Sequence, residues 1–198
     1  MPGELFGGAI RTSLPAGFLD ASDFRQIPDN QEVYVDPQSS EAEDNSMIVE
    51  LVERLDAAPS AADARYGAGA ADVAAARAHF DELVALNAAG AQARVLDVAP
   101  VAVASRPDTK AYMVTGTQPS EKWGRASQPM QLVLVLGVLR LAREQTDVLV
   151  SFNAAYACAP AEVAGEVDSA ALGRIAAARA YVRAAVRDFV LADAGLFG

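Results

Sequence analysis

Gln131-Leu-Val-Leu-Val-Leu-Gly-Val-Leu-Arg-Leu141 is followed, after the short polar link from Arg143 to Thr146, by Asp147-Val-Leu-Val-Ser-Phe152. Both runs have the apolar, β-branched content of strands. A connection this short favours antiparallel neighbours, because parallel ones need a crossover of about a dozen residues or more. Working outward, Lys110–Gly116 and Ala93–Val103 read as two further strands joined through Arg106-Pro107-Asp108. The longer link from 117 to 129 carries Pro119, Gly124 and Pro129. Toward the N-terminus, Leu5 to Leu14 reads as strand broken by Gly7-Gly8, with a turn at Pro15 and Gly17, and Glu32–Val35 reads as another strand. Met47–Leu55 fits neither period cleanly: Ile48, Val49, Leu51 and Val52 suit a strand or a helix.

Two helices complete the pattern. The first starts near Ala70–Asp72 and runs to about Leu86, with Val73, Ala76, Phe80, Leu83 and Val84 near helical spacing and Gly90 as its stop. Before it, the alanine-rich stretch from Ala57 reads as loop. The second spans about 168–191, with Leu172, Ile175, Val182, Val186 and Phe189 as its apolar stripe and Asp168 or Ser169 as its cap. Strands grouped between helices predict an α+β protein: one domain over 1–198, with an antiparallel sheet of about six strands flanked by helices.

The formal charge of −10 argues against a nucleic-acid backbone as partner and favours a basic protein surface. Hydrophobic residues reach 52%, but alanine supplies much of that figure, so the core is poorer than the percentage suggests. The longest apolar run, Leu132 to Leu139, falls far below the ~20 residues of a membrane span. The opening Met-Pro-Gly-Glu-Leu-Phe-Gly-Gly lacks the basic and apolar regions of a signal peptide, so the expectation is a protein that stays where it is made.

Reactive groups are scarce. His79 is the one histidine, expected to cap or pack locally, and Cys158 is the one cysteine, which excludes an internal disulfide. No P-loop or dinucleotide-binding glycine pattern is present, since Gly67-Ala68-Gly69 lies in an alanine-rich loop without a third glycine. The carboxylates from Asp20 to Asp36 lack the spacing and the glycine of a calcium loop, and Pro28 interrupts them. No cofactor or metal is therefore expected, and the reading is a non-catalytic binding module.

The segment Asp20-Ala-Ser-Asp-Phe-Arg-Gln-Ile-Pro-Asp-Asn-Gln-Glu-Val-Tyr-Val-Asp36 packs charged residues around a proline-fixed corner, which suits a rigid surface meant to be recognised. Asp20 or Ser22 is placed to cap a short helical turn within it. Glu50 and Glu53 lie three residues apart in an apolar stretch. On a helix they would share a face; on a strand they would point to opposite faces.

Several of these stretches, in order, resemble the Mog1 family. Glu4-Leu-Phe-Gly-Gly-Ala-Ile10 is similar to its opening Leu-aromatic-Gly-Gly-Ala, and Asp20 to Val35 to its Asp-x-Ser-x-hydrophobic-Arg-x-Val-Pro-Asp-x-Gln-Glu-Val signature, with Ile27 in place of Val. Ser46 to Glu53 resembles its Ile-Val-acidic-Leu-Leu-Glu segment, His79 to Leu83 its His-aromatic-acidic element, Gln145 to Asn153 its Thr-Asp-hydrophobic strand, and Leu196-Phe197 its terminal Leu/Ile-Phe. The resemblance implies the α/β/α sandwich shared by Mog1 and PsbP proteins. It further implies binding to the GTPase Ran, promotion of guanine nucleotide release in support of nuclear import, and residence in nucleus and cytoplasm. In the family the acidic pair that maps to Glu50 and Glu53 belongs to the Ran-binding surface. Asp20, Asp23, Arg25, Asp29, Glu32 and Asp44 are added to it as neighbouring positions. The expected protein is a monomer that neither binds nucleic acid nor inserts in a membrane. The alternative is a non-catalytic adaptor of the same fold, in channel trafficking or a PsbP-like role, that does not act on Ran.

Overall fold

In the computed structural model, residues 2–39, 45–87, 93–120, 130–157 and 169–198 are described. The hairpin read first from the sequence is its centre. Strands β8 (Met130–Leu141) and β9 (Thr146–Ala157) pair antiparallel along their whole length, from Met130 opposite Ala157 to Leu141 opposite Thr146. On β8, Val133, Val135, Leu139 and Leu141 belong to one core layer, and Leu134, Leu136 and Val138 to the other. Alternation along the strand sends successive side chains to opposite faces, so a run apolar at nearly every position is a strand buried on both sides.

Outside this pair the sheet extends in both directions. β5 (Asn45–Glu53) pairs with β9, and β4 (Gln31–Val35) with β5. The two-residue β3 (Leu19–Asp20) closes that edge. On the other side lie β7 (Lys110–Ser120) and β6 (Arg94–Pro100), the latter with a register shift between Val95 and Asp97. The order is β3-β4-β5-β9-β8-β7-β6, all antiparallel. A second, three-stranded sheet joins β1 (Pro2–Leu5), β2 (Ile10–Ser13) and β10 (Val190–Leu191). The architecture is α+β, with seven strands in the large sheet against an expectation of about six.

The helices occupy opposite faces. α1 (Ala70–Leu86) lays Val73, Ala76, Phe80 and Val84 on Tyr112, Val114, Leu134, Leu136 and Val138. α2 (Ser169–Arg187) lays Ala171, Ala178, Val182, Ala185 and Val186 on the other face, with Leu5 and Ile10 of the small sheet in the same layer. Both contacts depend on a missing side chain in the sheet. A Cβ at Gly137 would come 2.6 Å from Val186 Cγ2, and one at Gly116 would come 2.5 Å from Phe80 Cζ.

The structure corrects three sequence expectations. α2 ends at Arg187, and Val190–Leu191 pair with Arg11 and Ile10 of β2, so the backbone there joins a ladder instead of extending the helix. Leu172 is 58% exposed: the stripe passes through Ala171, one position earlier, because small residues bring the helix close to the sheet and leave the larger Leu outside. The stretch Ala61–Gly69 is 3₁₀-helical, not open loop. Ser60 and Asp63 start it with a reciprocal capping box, and Arg77 pairs with the buried Asp63 at 3.1 Å. The expected Asp168 cap, Gly90 stop, Cys158 and the turn at Gly124 lie outside the described residues.

Leu172→Ala should change stability by less than ~0.5 kcal/mol, whereas Phe189→Ala should cost about 3–5 kcal/mol and Gly137→Ala about 1–3 kcal/mol by overpacking. Urea unfolding of the three variants checks this, and a Leu172→Ala loss as large as that of Phe189→Ala would return Leu172 to the core.

Candidate partner-binding site

Met47–Leu55, which the sequence leaves open, contains the strand β5, held on both sides by β4 and β9. The consequence for the acidic pair is direct. Glu50 and Glu53 are an odd number of residues apart on a strand with continuous register, so they project from opposite faces of the sheet. Glu50 is half-buried and lies opposite Gln31; its Oε1 accepts hydrogen bonds from Gln31 Nε2 at 2.9 Å and Asn30 Nδ2 at 3.3 Å. Asn30 also donates to the Leu51 carbonyl at 3.1 Å, and the Leu51 amide donates to the Asn30 carbonyl at 2.9 Å. Glu53 is exposed and is the last residue of β5.

The proline corner is thereby fastened to β5. The Gln31 amide donates to the Pro28 carbonyl at 2.9 Å, which closes a turn with Asp29 and Asn30 at its tip. Asp29 and Glu50 therefore flank the same bonded turn, and Glu53 follows along the same sheet edge.

Asp20 and Glu32 form a different group. Asp20 caps the 3₁₀ turn Ala21–Asp23 by accepting from the Ser22 amide at 2.8 Å, as its position before that turn suggests. It pairs with Tyr34 across β3 and β4. Tyr34 is buried, and its hydroxyl is pushed up to about 12, first by burial and then by the negative fields of Glu32 and Asp20. Glu32 accepts from the Phe6 amide at 2.6 Å. Phe6 has a positive φ of 50°, and Gly7 and Gly8 follow at 64° and 90°, so Glu32 holds a strained turn between β1 and β2. Strand alternation puts Glu32 and Tyr34 on the face opposite Glu50 and Gln31.

Asp23 and Arg25 are exposed on the turn itself, and Asp44 lies outside the described residues. The candidates thus gather along one sheet edge but do not share one face. The residue that sequence reasoning passes over is Phe24, 71% exposed at the end of the 3₁₀ turn and flanked by Asp23 and Arg25. Its signal was an aromatic side chain inside a charged run.

His79 does more than pack locally. Its Nε2 lies 2.9 Å from Asp147 Oδ2, and Asp147 Oδ1 lies 2.9 Å from Arg140 Nε. All three side chains are buried, and both carboxylate oxygens are occupied, which leaves the His–Asp pair no free edge for a substrate. Among the described residues no group of three His, Cys, Asp or Glu side chains is placed to hold a metal ion, and no helix is long and apolar enough to cross a membrane.

Residues 3–155 match the model of the family described as Ran-interacting Mog1 protein. The chain belongs to the Mog1 family. It is 30% identical to nuclear import protein MOG1 of Saccharomyces cerevisiae over 205 residues, covering 98% of this chain and 83% of that protein. It is 34% identical to the human Ran guanine nucleotide release factor over 153 residues, covering 75% of this chain and 73% of that one. The crystal structure of the Saccharomyces cerevisiae Ran-binding protein Mog1p superposes with a TM-score of 0.71 at 28% identity, over 100% of this chain and 98% of the other. The resemblance read from the motifs and the fold it implied agree with these matches.

Tyr34 gives the edge a pH signature. Its hydroxyl ionises less readily in the folded chain than at the ordinary value of 10.0, so its contribution to stability is complete below pH 10 and is lost as pH rises through about 12. Glu32→Gln or Asp20→Asn should lower the Tyr34 titration midpoint, as followed by NMR of the labelled ring. A midpoint unmoved by either change would mean that burial alone sets it.

Proposed function

We infer that this chain is a Ran-binding protein that promotes guanine nucleotide release from Ran and so supports nuclear import. The observation that carries the reading is an acidic, hydrogen-bonded sheet edge in a chain of the Mog1 family, whose relatives bear the names Ran guanine nucleotide release factor and nuclear import protein. Among the described residues the edge supplies carboxylates and an exposed aromatic ring but no nucleophile with a base, which suits a binding role without catalysis of its own. The protein acts as a monomer in nucleus and cytoplasm, and its single domain spans the chain.

A release factor works by linkage. It must bind the nucleotide-free GTPase more tightly than the loaded one, and the nucleotide then weakens the factor by the ratio in which the factor weakens the nucleotide. Carboxylates fit this task because the phosphate site of a GTPase is lined by Lys and Mg²⁺. Once the phosphates leave, those cations are the groups an acidic edge stabilises. The formal charge of −10 also speeds encounter with a basic face, most strongly at low salt.

Within the edge, Asp23, Arg25, Asp29 and Glu53 are exposed and the best placed to meet the partner, with Glu50 beside them and Asp20 and Glu32 contributing charge nearby. Phe24 supplies the apolar centre that interface hot spots require.

Addition of the protein should accelerate loss of a fluorescent guanine nucleotide from Ran, and an unchanged release rate would end the reading. Two reversals should separate roles. Glu53→Lys should weaken Ran binding by about 2–5 kcal/mol if its partner is desolvated, with thermal stability unchanged. Glu50→Lys should lower both binding and stability, because it also removes the acceptor of Gln31 and Asn30. Binding to immobilised Ran and thermal unfolding, measured on both variants, check the split.

A further inference from the structure

The buried cluster on the α1 face converges on the backbone of one residue, Leu55. Arg140 Nη2 donates to the Leu55 carbonyl at 2.8 Å, while the Leu55 amide donates to Asp147 Oδ2 at 3.0 Å. Arg140 Nε and Asp147 Oδ1 are themselves paired at 2.9 Å, and His79 Nε2 stands 2.9 Å from the same Oδ2 that takes the Leu55 amide. Around this core, Arg140 Nη2 lies 3.5 Å from Asp56 and Nη1 3.8 Å from Asp72, and His79 Nδ1 lies 3.6 Å from Glu82. Asp147 is wholly buried and His79 and Arg140 nearly so.

A buried ion pair is a poor source of stability, since apolar replacements of similar volume are often neutral or stabilising. What this one does geometrically is grip both the donor and the acceptor of a single residue, two positions after Glu53. The place needs it. Pairing with β4 stops at Glu50 and pairing with β9 stops at Glu53, so the last turn of β5 has no strand on one flank. The next backbone bond, from the Arg54 amide to the Gln145 carbonyl at 2.9 Å, comes from the turn after β8, next to the same cluster.

We propose that His79, Asp147 and Arg140 are positioning residues for the partner-binding edge: by clamping Leu55 they fix the exit of β5 and thus the direction in which Glu53 projects. Asp147 is the centre, Arg140 the arm that reaches the carbonyl, and His79 the support that holds the carboxylate from α1. Glu50 is independent of the clamp, because Gln31 of β4 and Asn30 of the preceding turn hold it. The proposal rests on the reading that Glu53 contacts Ran.

A double-mutant cycle on the full chain tests it, with affinity for immobilised Ran as the readout. Arg140→Lys keeps a charge beside Asp147 but loses the fork that also reaches Leu55. It should weaken binding about tenfold in the native background and leave it nearly unchanged in Glu53→Gln, while its effect multiplies with that of Glu50→Gln. Hydrogen exchange at the Leu55 amide should quicken in Arg140→Lys, with β8 amides unchanged. Equal weakening in both Glu53 backgrounds, or none in either, would overturn the clamp while leaving the interface intact. No effect of Glu53→Gln itself would overturn the interface and the clamp with it. Should Arg140→Lys fail to fold, His79→Gln, which keeps a donor toward Asp147, carries the same cycle.

Discussion

The antiparallel ladder between β8 and β9 is the constraint on which the other elements depend. These are two central strands of a seven-stranded sheet, and both faces of β8 are covered. A strand in that position is apolar throughout and tolerates polar groups only where they find partners. Arg140 and Asp147 are such an exception: they sit opposite each other near the hairpin turn as an ion pair, and each also bonds the backbone of Leu55. Burial on both faces also requires a helix on each side. The sheet meets that demand by omitting a side chain at Gly137 under α2 and at Gly116 under α1. Packing at interior density has little slack, so one methyl group at either glycine is felt by a whole helix.

How much of this was legible depended on whether one physical signal dominated. Gln131–Leu141 and Asp147–Phe152 were clear because a doubly buried strand leaves an apolar run and a short polar link leaves little choice of pairing. Met47–Leu55 was undecided for a related reason. Met47 and Val49 enter one core layer while Val52 packs against the other, so the residues are apolar without a period. Only the ladder with β9, a non-local contact, resolves it. Leu172 misled because hydrophobicity outranked shape: Ala171 is the residue that fits a close helix. Val190–Leu191 looked like more helix because their partners, Ile10 and Arg11, lie far away in sequence. The identity of the partner was never in the physics of the chain; it came with the motifs shared with the Mog1 family.

The carboxylates of the edge were legible as a group and illegible in their roles. Asp20 caps a turn, Glu32 anchors the strained Phe6 turn and Glu50 holds Asn30 and Gln31. Each is acidic, half-buried and occupied. Asp23, Asp29 and Glu53 are exposed instead. Composition cannot divide these two sets, since each has members around Pro28 and one member in the apolar stretch of β5. The division follows from strand register at Glu32, Glu50 and Glu53 and from turn geometry at Asp20, Asp23 and Asp29.

That division also explains why an acidic edge is compatible with a stable fold. A sheet edge presents unpaired backbone groups, and proteins protect such edges with short strands and charge. Here β3 is two residues long, and the connection leading from it to β4 is acidic. Repulsion among these carboxylates discourages a second copy of the same edge from pairing with it, while a basic surface relieves the repulsion. The same arrangement fits the cationic partner proposed above. The structural carboxylates beneath keep the turn from yielding when that partner is absent. Selectivity at this edge thus begins as a property of unbound charge, before any specific contact is made.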